Sequence, residues 1–289
     1  MRTRVVSVEC LKNLSNEEWV DNSRRPFVKD STAWIPVKEG YSYTCVLEDK
    51  QKYSGRGYQM IGDIALFHGD MPKKEDVEDL IKWIKPSCIL HIRNYEGVKR
   101  IPKVNVLYGK PKEVCHKENG CFFILNPSKV MFAMGNREEK RRMAGIVKKD
   151  ERIADMFAGI GYFTIPAALA GANIHAMELN QDSFLYLKRN IEKNNVEERV
   201  IPECGDCRNL LKGEYDRAFM GHFDSSSMLF DILAHMKRNS TLHVHSINPV
   251  CEVISKACKD AGFKSEISVH RVKKYAPFKW HVVQDVILS

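Results

Sequence analysis

The 289-residue chain contains no run of 18 apolar residues, which excludes a helix that spans a bilayer. Its first residues, MRTRVVSVECLKNLS, lack the sustained apolar stretch of a secretory signal, so the expectation is a cytoplasmic protein. The pair Cys204-x-x-Cys207 has no second CxxC and no His-x3–5-His to complete a four-ligand zinc site. His243-x-His245 would share one face of a strand, yet two histidines without further ligands are more often packed than metal-bound. No metal is expected. Nine cysteines, an odd number at scattered spacings, fit a reducing compartment. Internal repeats and low-complexity segments are also missing.

What is present is an ordinary globular composition, 28% charged and 44% hydrophobic, with a net charge of +8. The charge is unevenly placed. From Arg93 to Glu118 there are seven Lys/Arg (Arg93, Lys99, Arg100, Lys103, Lys110, Lys112, Lys117) and three acids, about half of the chain's excess. A basic stretch of this kind is either a solvated face or a surface for a polyanion.

The length allows one large domain or two to three smaller ones. Residues 1–54 form a small N-terminal segment in which TAWIPV and YSYTCVL read as strands, and QKYSGRG (51–57) has linker composition. Residues 55–126 read as an α+β unit. YQMIGDIALFH is a strand pair broken at Gly62, and Val77, Leu80, Ile81 and Ile84 fall at helical spacing. CILHIRN and PKVNVLYG are strands joined by a basic turn. Residues 127–289 open with the charged helical segment NREEKRRMAGIV and then alternate. The strands are RIADMFAG, ANIHAMEL, RVIPECGD, YDRAFMGH and TLHVHSI; the helices are YFTIPAALAG, SFLYLKRNIEKNN, SSMLFDILAHMK and PVCEVISKACKDAG. Such alternation predicts an α/β doubly wound, mostly parallel sheet of Rossmann type. HVVQDVILS would add a last, antiparallel strand.

Three features fall at successive strand ends. Asp155 precedes Gly159-x-Gly161, where glycines permit a sharp turn and a close backbone approach. Glu178 ends the next strand, where an acid can accept both hydroxyls of a ribose. Gly205-Asp206 ends the third, where a carboxylate can accept from an adenine amino group, with the backbone N–H of Cys207 beside the ring. A cap role would explain Asp155 and Asp206 but leave Glu178 without a purpose. The third glycine of a GxGxxG cradle is replaced by Thr164, which favours a nucleoside without phosphates, S-adenosylmethionine over a dinucleotide.

DMFAGIGYF (155–163) resembles motif I of the class I methyltransferase fold, in the group that modifies position 37 of tRNA. HKENGCFF (116–123), PSKVMF (127–132) and VKKYAPFKWHVVQD (272–285) are similar to the same group. It holds guanine-N1 methyltransferases and wybutosine-synthesising aminocarboxypropyl transferases. The methyltransferases carry Pro-Arg just after the strand equivalent to KVMF, and Asn-Leu-Pro at the end of the fourth strand. Here Met134-Gly135-Asn136 and Gly221-His222-Phe223 stand in those places. GNREEKRRMA and MGHF resemble the aminocarboxypropyl transferases instead.

The resemblance implies donor contacts at Ala133, Lys140, Asp155, Phe157, Gly159, Gly161, Glu178, Asp206, Cys207 and Gly221. Positions 133 and 140 depart from members with serine and arginine there. Lys140 keeps the charge without the bidentate fork, which Arg141 or Arg142 would then supply. It implies further that the 3-amino-3-carboxypropyl group passes to 4-demethylwyosine at position 37 of phenylalanine tRNA, with Gly221 making room for it. His222 is the candidate for proton handling. Arg93, Lys99, Arg100, Lys103, Lys273 and Lys274 would contact anticodon-arm phosphates, with Tyr275 and Trp280 as stacking candidates. A monomer is expected. The competing readings are a guanine-37 N1-methyltransferase on the same donor site, and a non-enzymatic RNA-binding protein with a vestigial pocket.

Overall fold

The computed structural model describes residues 1–14, 16–47 and 53–289. The first two residues of the expected linker at 51–57, and the last residues before it, lie outside the described residues. The chain forms two compact units, Met1–Ser54 and Gly55–Ser289.

The N-terminal unit is a four-stranded antiparallel sheet. It comprises β1 (Arg2–Ser7), the one-turn helix α1 (Leu11–Leu14), β2 (Phe27–Lys29), β3 (Thr32–Pro36) and β4 (Cys45–Val46), in strand order β2-β3-β1-β4. Val20, Ala33 and Ile35 make its small core, with Val6, Leu11 and Trp19 packed against them.

In the second unit, β5 (Gln59–Ile61), β6 (Ile64–His68), β7 (Cys88–Glu96) and β8 (Ile101–Gly109) form a sheet in sequence order. Helix α2 (Lys74–Ile84) makes the crossover that lets β6 and β7 run parallel. A hairpin follows, β9 (Val114–Glu118) and β10 (Cys121–Leu125), and then α3 (Arg137–Ile146). The free edge of β10 is met by two asparagines, one in α5 (Gln181–Lys193) and one that caps its carboxyl end. Asn194 exchanges both hydrogen bonds with the Phe122 backbone, at 2.8 and 2.7 Å. Asn190 accepts the Ile124 N–H at 2.7 Å and donates to the Ile124 carbonyl at 3.3 Å. Side-chain amides thus satisfy backbone groups that burial would otherwise leave unpaired.

The remaining elements are β11 (Arg152–Asp155), α4 (Thr164–Leu169), β12 (Asn173–Glu178), β13 (Val200–Cys204), α6 (Cys207–Leu210), β14 (Tyr215–Met220), α7 (Leu229–Leu233), β15 (Met236–Ile247), α8 (Cys251–Asp260), β16 (Ser265–Ala276) and β17 (Lys279–Leu288). Seven strands make one sheet in the order β13-β12-β11-β14-β15-β17-β16, parallel through β15, with β17 antiparallel to both neighbours. The order of strand addition reverses between β11 and β14, so the strand ends flanking that point open a crevice. One apolar cluster runs continuously from Ile61 and Leu90 through Phe123 to Ile165 and Phe219. A second, including Met156, Met220, Leu242 and Val286, covers the other face. The fold is the expected α/β Rossmann-like one of the class I methyltransferase type.

Two local expectations are corrected. SSMLFDILAHMK is not one helix: a short 3-10 turn (Ser225–Met228) leads into α7, and β15 begins at Met236, before TLHVHSI. Strand β16 is an addition. Its Lys/Arg-rich edge position and two register shifts, at Arg271/Lys273 and Lys274/Ala276, hid the usual strand pattern.

Candidate functional site

A cavity of about 450 Å³ opens at the carboxyl ends of β11, β12, β13 and β14, the size of a small-molecule site. Three loops build its nucleoside end. After β11 the chain turns through Gly159 (φ 58°) and Gly161 (φ 104°), in the left-handed region that disfavours side chains. A Cβ at Gly161 would lie 2.7 Å from Ile165, so that glycine serves the turn's own packing and stays outside the cavity. Gly159 lines the cavity, and its N–H donates to Glu178 Oε2 at 2.7 Å. The other oxygen, Oε1, accepts the Asn180 N–H at 2.6 Å. Burial raises the pKa of Glu178, and these backbone donors oppose the rise. Each oxygen keeps a further lone pair, enough for two ribose hydroxyls.

Asp155 does not reach the cavity. It is fully buried, accepting the Thr164 hydroxyl at 2.7 Å and facing the Phe157 N–H. Burial pushes its pKa up to about 6. Its carboxylate occupies the amino end of α4, where a dinucleotide fold would seat a phosphate. That occupancy suits a nucleoside without a pyrophosphate.

At the end of β13, Asp206 caps α6 by accepting the Arg208 N–H at 3.0 Å, and it is paired with the Arg208 guanidinium. Its hydrogen bonds to Arg208 hold its pKa below the usual carboxylate range. Arg208, two residues from Asp206, also lines the cavity, a placement that no motif in the sequence marks. Cys207 is buried against Met228, and burial pushes its thiol up to about 11, which makes it an inert wall.

Ala133, Lys140, Met131 and Tyr162 line the opposite end. Lys140 is only 1% exposed and pairs with the buried Glu118 carboxylate. The Phe132 and Tyr162 rings lie 5.0 and 5.2 Å from its ammonium. Burial lowers its pKa against the pull of Glu118. The alternatives at Arg141 and Arg142 fail on geometry. Arg141 is 62% exposed and faces Glu138, while Arg142 is bound to Glu139 and to Asp285, at 2.6 Å from the latter. The latter belongs to a network in which His243 bridges Asp285 and Arg217. His243 therefore does not share a ligand site with His245, which bonds His281.

Gly221, His222 and Phe223 form the fourth wall. The Gly221 φ lies outside the left-handed region, and a Cβ there would meet Phe163 at 3.4 Å, an ordinary contact. Neither backbone nor protein packing demands glycine. His222 stacks on Phe157, with centroids 5.5 Å apart. Burial and the nearby Arg100 lower its pKa, so the imidazole is neutral near pH 7. Its Nδ1 accepts the Asp224 N–H at 3.2 Å, which leaves Nε2 carrying the proton.

Of the six basic residues singled out for a polyanion, Lys99 and Arg100 line the cavity. Arg93 and Lys274 are exposed, Lys103 pairs with Glu96 at 3.1 Å, and Lys273 runs beside Gly135. Tyr275 packs edge-on against Phe223, and Trp280 lies under Arg271.

This architecture has known counterparts. The family model of the TRM5/TYW2 methyltransferase domain matches residues 114–272. A Methanocaldococcus jannaschii protein named tRNA(Phe) (4-demethylwyosine(37)-C(7)) aminocarboxypropyltransferase is 36% identical over 244 residues, 80% of this chain and 97% of that one. One of the same name from Pyrococcus horikoshii is 33% identical over 212 residues, 69% and 76% of the two chains. The solved structure of M. jannaschii TYW2 in complex with AdoMet aligns with a TM-score of 0.65 at 31% identity, over 81% of this chain and 99% of that one. Trm5b from Pyrococcus abyssi aligns over 99% of both chains with a TM-score of 0.76, but at 22% identity it speaks for the fold alone. The matched domain spans more than half of the chain and holds most of the cavity, and the chain belongs to the TRM5/TYW2 family.

Proposed function

We propose that this protein transfers the 3-amino-3-carboxypropyl group of S-adenosylmethionine to C7 of 4-demethylwyosine at position 37 of phenylalanine tRNA. The relatives named for that reaction support the reading, as does a cavity whose residues suit a nucleoside without phosphates. The observation that carries it is Gly221, a glycine with no backbone or packing requirement on the wall where the acceptor must enter.

In the transfer, acceptor C7 forms a bond to the γ-carbon of the donor's amino-acid tail as the sulfur–γ-carbon bond breaks. The sulfur keeps the electron pair, methylthioadenosine leaves, and the C7 proton passes to solvent. Glu178 holds the ribose and Asp206 the adenine amino group, while Phe157, Gly159 and the Cys207 backbone frame the nucleoside. With these grips fixed, the position of the tail alone decides which carbon faces the acceptor. His222 presents Nε2–H rather than a lone pair, so its role is to donate a hydrogen bond to the incoming base.

On this reading Arg93, Lys99, Lys103, Lys273 and Lys274 meet phosphates of the anticodon arm, and position 37 is unstacked to reach the cavity. On the same reading the protein works as a monomer in the cytoplasm. Among the described residues no helix is long and apolar enough to cross a membrane. Analysis of the small-molecule product tests the assignment. Methylthioadenosine is expected; S-adenosylhomocysteine would instead mark the guanine-N1 methyltransferase, and no turnover an RNA-binding protein.

A further inference from the structure

We propose that Arg100 is the residue that binds the carboxylate of the donor's amino-acid tail, a reading that rests on the donor assignment above. The cations of α3, which supplies Lys140 to the cavity wall, are committed elsewhere. Lys140 is neutralised by Glu118, Arg142 by Glu139 and Asp285, and Arg141 faces outward to Glu138.

Arg100 reaches the cavity from the turn between β7 and β8, closed by its own N–H to the Gly97 carbonyl at 3.1 Å. Its Nη2 lies 3.5 Å from the Met131 sulfur, and Met131 and Ala133 line the same end of the cavity. The guanidinium rests 5.7 Å from the Tyr95 ring centroid, a contact that holds its plane without using its N–H donors. Among the described residues it forms no ion pair with a carboxylate, and its Nε is buried with no hydrogen-bond partner. A buried guanidinium N–H without an acceptor is costly unless a ligand supplies one. An anion with two oxygens would match the planar fork of arginine, as it would not an ammonium.

The position also suits the reaction. The carboxylate travels with the transferred group and ends on the tRNA base. Its holder must therefore stand at the border between donor and acceptor rather than deep in the nucleoside pocket. Arg100 does so: its charge is felt by His222 on the fourth wall, and its neighbour Lys99 lines the same mouth. This removes Arg100 from the group of phosphate contacts and gives it a positioning role toward the γ-carbon.

Calorimetric titration of three ligands tests the assignment: S-adenosylmethionine, its decarboxylated form, and methylthioadenosine, which lacks the tail. Arg100→Gln should weaken S-adenosylmethionine by about 10- to 100-fold, the loss of a charge-assisted bidentate pair, and leave the other two unchanged. Arg100→Lys should fall between. Retained methylthioadenosine binding shows that the variant is folded. An equal loss for all three ligands would overturn the proposal in favour of a role in shaping the cavity. Unchanged donor binding with weakened tRNA binding would overturn it in favour of a phosphate contact. The titration does not depend on which carbon is transferred, so its failure is distinguishable from failure of the aminocarboxypropyl reading.

Discussion

The carboxylate of Glu178 accepts the Gly159 N–H at 2.7 Å, so the acid that ends β12 is fastened to the turn that follows β11. One side chain thereby holds the glycine turn in place and keeps further lone pairs for the proposed ribose contact. Glu178→Gln keeps the shape but replaces one acceptor oxygen with a donor. Titration should show S-adenosylmethionine and methylthioadenosine weakened alike, by about 100-fold, since both carry the ribose. Loss for one ligand only would move the ribose contact elsewhere.

Gly221 separates the fold from the chemistry. Its Cβ position is open to within 3.4 Å of Phe163 and its backbone is not left-handed. Gly221→Val should leave the thermal midpoint nearly unchanged while lowering kcat by about 100-fold, the effect of displacing reacting groups by about 1 Å. A large fall in midpoint would show that the glycine serves packing rather than passage.

Asp155 gives a pH signature. Its folded-state pKa, near 6, stands above the ordinary 3.8, so the folded protein binds this proton more tightly than the unfolded chain. The stability it contributes is full below pH 3.8 and is lost as pH rises through 6. Asp155→Asn has no such titration. Denaturation of both proteins from pH 4 to 7 should show the variant gaining about 2 kcal/mol on the parent across that window. A constant difference across the range would mean that Asp155 is not held protonated by burial.

Asn190 is fully buried and bonded to three backbone groups: the Ile124 N–H, the Ile124 carbonyl and the Ile160 carbonyl, the last at 2.9 Å. Asn190→Ala would orphan all three. Chemical denaturation should report a loss of about 2 to 4 kcal/mol. A loss below about 0.5 kcal/mol would mean that water replaces the amide and the β10 edge is solvent-accessible.

The sequence made the parallel sheet legible because β11 and β12 end in Asp155 and Glu178 and β14 is followed by Gly221, so that each strand end carries a recognisable chemical feature. It also pointed to residues that converge on the cavity: Gly159, Glu178, Asp206, Cys207, Gly221 and His222 all line it. What escaped depended on contacts distant in sequence. Nothing near Lys140 shows that Glu118, across a hairpin, claims its charge, or that Asp285, 143 residues away, claims Arg142. Arg100 read as one cation in a basic run, because only the fold brings the β7–β8 turn over the donor cavity. The β16 strand was masked by the lysines that protect a sheet edge from further pairing.

The most direct test of the central claim follows the fate of the donor's carbons. The protein is incubated with tRNA bearing 4-demethylwyosine and with S-adenosylmethionine labelled either in the methyl carbon or in the carboxyl carbon. Aminocarboxypropyl transfer puts the carboxyl label on the tRNA, with the methyl label leaving in methylthioadenosine. Methyl label on the tRNA, with none from the carboxyl carbon, would contradict it.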